Sequence, residues 1–139
     1  MIAAAPIALC GGGCARERGF AYNGTWVGHR KLDPAPGTDP HVVDEVSRLT
    51  LTIASGTRFK MVDAGMPKEG DYRVEGDHAV LSVDTILGKP MSRQDPDVQR
   101  RNVPITLTPV GAKLKLVDPG GFDRDGLTLE RITPASTPG

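Results

Sequence analysis

The sequence predicts an all-β domain, a small antiparallel up-and-down β-barrel of about eight strands with one short helix after the first strand. Three observations carry that prediction. First, apolar residues take every second place over Arg48 to Ile86: Leu49, Leu51 and Ile53, then Phe59 and Met61, then Tyr72 and Val74, then Leu81 and Val83. A period of two sustained through successive runs marks antiparallel strands with one buried face. Second, the alternation breaks at Ser55-Gly56 and at Glu75-Gly76-Asp77 and resumes after each, as tight hairpins require. Third, 17 glycines and 12 prolines in 139 residues mean a chain that turns often. Short strands joined by short turns close into a barrel, which removes exposed edges.

Length and charge narrow the function classes. The chain is one domain long. Lys and Arg together number 17, as do Asp and Glu, so the formal charge is zero. A nucleic-acid binder would carry a basic excess or stripe. No stretch is long and apolar enough for a mature membrane-spanning helix. Both cysteines, Cys10 and Cys14, precede the domain, so no disulfide framework holds the fold. A Cys10–Cys14 bridge would staple only the leader.

Taken in order, residues 1–14 are small and apolar, with Ile2, Pro6, Ile7, Leu9 and three glycines before Cys14. This stretch is similar to the hydrophobic end of a bacterial lipoprotein signal peptide. Gly13 matches the small residue that the signal peptidase needs before the lipidated cysteine. Gly11 stands where that signal usually has Leu. Cys10 has Ile7 in that place, but Leu9 before it is a poor cleavage residue, so the resemblance implies lipidation at Cys14. The leader lacks a basic start, so the true start is expected upstream of Met1. Residues 15–23 would then be a solvated tether. A diacylated cysteine buries two chains at ~0.8 kcal/mol per methylene, enough for stable anchoring.

Gly24-Thr25-Trp26 opens the domain, and Trp26 is the one tryptophan. The motif resembles the first strand of lipocalin-like (calycin) barrels, where the ring plugs the closed end. The run from Gly70 through Tyr72, Val74, Gly76 and Leu81 is similar to a pattern in small bacterial lipocalin-like lipoproteins. These matches imply a lipocalin-like domain over 24–132, with a frayed tail at 133–139. They also imply a basic residue of the last strand packed on that tryptophan. Arg131, in step with Leu127 and Leu129, fits this structural clamp.

Asp33 to Pro40 is a Pro- and Gly-rich loop. Asp39 then reads as an N-cap with Pro40 at the first helical position. Val42, Val43 and Val46 form the apolar side of a short helix that ends near Ser47. In lipocalin-like folds such a segment covers the open end. Gly88 to Asn102 breaks the periodicity and reads as the longest loop, rich in Arg and Asp. Val103–Thr108, Lys113–Val117 and Leu127–Ile132 complete the sheet, with Ile105, Leu107, Leu114, Leu116, Leu127 and Leu129 inward. The strands are short for a deep cup, so a mostly filled barrel with a shallow apolar mouth is expected.

No constellation of a reaction stands out. Asp118, Asp123 and Asp125 fail the register of a calcium loop and read as turn residues. His29, His41 and His78 lack metal-site spacing, and no serine sits in a nucleophile elbow. Arg30, Arg58, Arg73 and Arg131 lie on strands; any that points inward needs a partner, and Arg131 is the best placed. The expectation is therefore a non-enzyme without cofactor or metal, lipid-anchored on the periplasmic or extracellular face of a bacterial envelope. Its expected activity is to bind a small apolar or amphipathic ligand in the barrel mouth, at Trp26, Phe59, Met61 and Tyr72 under the Val42–Val46 segment. The alternative is a structural or protein-interaction module, such as an inhibitor or assembly factor, with a solid barrel.

Overall fold

The computed structural model describes residues 19–54 and 56–132. Cys10, Cys14, the first part of the tether and the 133–139 tail lie outside the described residues. Nine strands form one antiparallel sheet: β1 (Gly24–His29), β2 (Arg48–Ile53), β3 (Arg58–Asp63), β4 (Met66–Glu75), β5 (His78–Ile86), β6 (Lys89–Pro90), β7 (Ile105–Val110), β8 (Lys113–Val117) and β9 (Leu127–Ile132). Eight of them close a ring. β1 pairs with both β2 and β9, β4 pairs with β5, and β5 pairs with β7. The two-residue β6 hangs on the upper end of β5 outside that ring. The fold is thus the all-β up-and-down barrel that the alternation predicts, with one additional strand.

The alternation sets the interior. β2 and β3 each bury every second residue, from Leu49 to Ile53 and from Phe59 to Asp63. Trp26, Leu51, Leu81, Leu107, Leu114, Leu116 and Leu129 are fully buried. Each buried aliphatic or aromatic side chain of this kind contributes about 1.5–3 kcal/mol. β4 carries a bulge between Glu69 and Gly70. At Gly70 a Cβ would run into the Ser82 carbonyl of β5, so only glycine lets these two strands close. β4 pairs with β3 only as far as Asp71, and beyond it with β5 alone. Val74, expected inward, lies on this overhang and is 51% exposed.

Two ends follow from the strand directions. The floor holds the start of β1, the β2–β3, β4–β5 and β7–β8 turns and the end of β9. The mouth holds the loop after β1, helix α1 (Pro40–Ser47), the β3–β4 turn, the β5–β6 turn and the β8–β9 loop. α1 starts as expected: Asp39 accepts from the His41 amide, with Pro40 in the first turn. The Gly88–Asn102 stretch has more structure than its lack of periodicity suggests. It contains β6, a 3-10 turn at Met91–Arg93 and helix α2 (Pro96–Arg100). Among the described residues no helix is long and apolar enough to cross a membrane.

Candidate functional site

The floor is closed by aromatic packing. Trp26 donates from Nε1 to the Tyr22 carbonyl at 2.9 Å. Phe20 stacks on Trp26 at 5.7 Å between centroids, and Tyr22 meets Tyr72 edge-on at 6.0 Å. Tyr22 is 5% exposed and belongs to the core, so packing begins inside the stretch expected to be a solvated tether. Burial pushes the phenols of Tyr22 and Tyr72 up. Arg131 lies directly across from Trp26 in the β1–β9 pair. Its guanidinium sits 4.3 Å from the indole centroid and donates to the carbonyls of Asn23 and Ala21, the latter at 2.6 Å. Arg131 therefore ties the incoming chain to the floor.

The mouth is closed by charge. On β1, β3 and β8 the inward face continues one step beyond its last nonpolar residue, and that step is ionic. Arg30 follows Trp26 and Gly28, Asp63 follows Phe59 and Met61, and Asp118 follows Leu114 and Leu116. Lys68 pairs across β3–β4 with Met61, and directly paired residues share a face. Arg30 donates to both oxygens of Asp123, at 2.9 and 2.7 Å, and to Asp63 at 2.5 Å. It also donates to the Val46 carbonyl of α1 at 3.2 Å, and its guanidinium lies 5.3 Å from the Phe122 ring centroid. Lys68 bonds the second oxygen of Asp63 at 3.2 Å. The side chains of Arg30, Asp63 and Asp123 are only 10, 4 and 5% exposed. The Asp123 hydrogen bonds raise the Arg30 pKa further above its usual range. Asp118, also buried, has its carboxyl pushed up by desolvation, against the pull of Lys68.

Beside this layer, with Lys68 and Asp118 in its lining, lies a cleft of about 310 Å³. One wall is the upper end of β4 and β5, with Met66, Val83 and Ile86. The opposite wall is the α2 segment, pinned to β5 by Asn102, which donates to the Val83 carbonyl at 3.1 Å. Gln94 adds bonds to the Ile86 and Lys89 carbonyls at 3.1 and 2.8 Å. The β8–β9 loop forms the roof. Gly120 packs so tightly on the Arg101 carbonyl that any Cβ would collide with it. Lys68 and Asp118 lie along the cleft, and Arg101 and Arg124 edge it.

The residues expected to bind a ligand do not meet here. Trp26, Phe59 and Met61 fill the packed interior, and Tyr72 packs against it at the floor. None of the four lines the cleft. α1 stands at the mouth, but Val42, Val43 and Val46 line a separate shallow groove of about 280 Å³ with Leu32 and Pro34. The Arg at the centre of the buried charge is Arg30, not Arg131, which is exposed. Asp118 and Asp123 do make a turn, with Asp118 N donating to the Asp123 carbonyl at 2.9 Å. Their side chains nonetheless belong to the ionic layer. Extending the alternation of β1, β3 and β8 by one inward position flags Arg30, Asp63 and Asp118. Among the described residues no group of His, Cys, Asp or Glu is arranged to hold a metal. No family model matches the chain, and no curated protein or solved structure matches it either.

Proposed function

We propose that the protein is a lipocalin-like lipoprotein of a bacterial envelope that holds a small amphipathic molecule in the cleft at the mouth of its barrel. The cleft itself carries the reading: about 310 Å³, with apolar walls and charged edges, within the size range of small-molecule sites. The ligand sits in this cleft, whose lining does not include Trp26, Phe59, Met61 or Tyr72. Trp26 at the start of β1 under Arg131 of β9 supports the lipocalin-like reading. Anchoring fits the same geometry. The described chain begins at the floor, where Phe20 and Tyr22 pack, so a lipid at Cys14 leaves the mouth facing away from the membrane.

Native mass spectrometry of the protein purified from its host tests the binding reading. A co-purifying small molecule is expected, and a clean apo mass counts against it. Replacing Cys14 with Ser, behind the full native leader, is expected to release the protein from membranes; retention would refute lipidation there. The filled interior, with Leu87 and Phe122 exposed at the mouth, favours a second reading, a solid module that docks a protein on that rim. A stoichiometric protein partner recovered in place of the small molecule would support it.

A further inference from the structure

The charges around the cleft define the ligand more narrowly. Three cations line it, Lys68, Arg101 and Arg124, against one acid, Asp118. Lys68 is answered by Asp63. Among the described residues no ion pair includes Arg101 or Arg124. These two arginines come from stretches far apart in sequence. The contact of Gly120 with the Arg101 carbonyl holds those stretches against each other. Met66, Val83, Ile86 and Ile105 supply apolar surface beside them. At about 30 Å³ per water-sized group, the space holds on the order of ten non-hydrogen atoms.

Resting on the mouth-cleft reading above, we infer that the ligand is a small anion with an apolar body, its charged group paired with Arg101 and Arg124 and its body laid against Met66, Val83, Ile86 and Ile105. Guanidinium groups suit a carboxylate because their donors match its two oxygens. A medium-chain carboxylate has the right size and chemistry.

Isothermal titration of the full chain carrying Cys14→Ser with decanoate and with 1-decanol, both below their aggregation limits, tests this. Decanoate is expected to bind at least tenfold more tightly than decanol. Arg101→Gln with Arg124→Gln is expected to remove most of that preference while leaving the urea midpoint unchanged. Equal binding of the two probes, or an unaltered preference in the double variant, overturns the anion assignment but leaves the cleft as a ligand site. Binding of neither probe overturns the inference, and the cleft reading itself then rests on the native mass: a co-purifying molecule keeps it and a clean apo mass counts against it. Co-sedimentation with phosphatidylglycerol vesicles without decanoate binding would assign the two cations to a lipid surface and also overturn the inference.

Discussion

Arg30 is the residue on which the closed mouth depends most. Arg30→Met keeps much of the apolar stem and removes the charge. Asp123 then loses both of its guanidinium bonds, and Asp63 keeps only Lys68 at 3.2 Å. Both carboxylates stay buried, at 4 and 5% exposure. Breaking a buried pair by removing one partner costs about 3–5 kcal/mol. For a domain of this size that lowers Tm by about 15–25 °C. Urea unfolding followed by Trp26 fluorescence reads the loss from the opposite end of the barrel. An unchanged slope would keep the comparison two-state. Adding Asp123→Asn should return a large part of the loss, because the second variant removes the charge left without its counter-ion. A loss below about 1 kcal/mol, the range of exposed ion pairs, would deny the layer its buried character. It would mean that water reaches the layer and that the mouth is not sealed by it.

Asp118→Asn tests the same layer in the opposite direction. Desolvation raises the folded-state pKa of Asp118 above its ordinary value. Its contribution is therefore fully favourable below the unfolded pKa and is lost as pH rises through the folded value. The Asn variant should be the more stable protein at pH 7, with the gain fading as pH falls into the acid range; a destabilised variant at pH 7 contradicts this. Gly70→Ala should cost about 1–3 kcal/mol of unfolding free energy by urea titration, since a Cβ meets the Ser82 backbone. A neutral result would mean that β4 and β5 are more loosely joined. Arg131→Met removes the contact over Trp26 and the bonds to the Ala21 and Asn23 carbonyls. About 1–2 kcal/mol should be lost, with faster amide exchange at Tyr22. Unchanged exchange there would deny Arg131 its hold on the incoming chain.

The strands were legible because their signal is local. Leu49, Leu51 and Ile53, or Leu114 and Leu116, declare a buried face whatever lies across from them. The pairing of Trp26 with Arg131 was legible through the resemblance and the step from Leu129. The ionic layer was not. A charged residue at a strand end looks like a solvated turn until its partner is known, and Asp123 lies 93 residues from Arg30. The walls of the cleft were missed for a related reason. Its α2 segment is held by side-chain bonds from Gln94 and Asn102 to β5 and β6 carbonyls, which leave no periodic trace. The expectation of a barrel mouth pointed instead to Trp26, Phe59, Met61 and Tyr72, large side chains that fill or flank the core.

Where a ligand sits is the central matter, and amide chemical-shift mapping during a decanoate titration tests it most directly. Shifts confined to residues 83–86, 98–105 and 118–124, saturating together, are the predicted result. Shifts centred on Trp26, Phe59 and Met61, with those segments silent, would place the ligand inside the barrel and contradict the account.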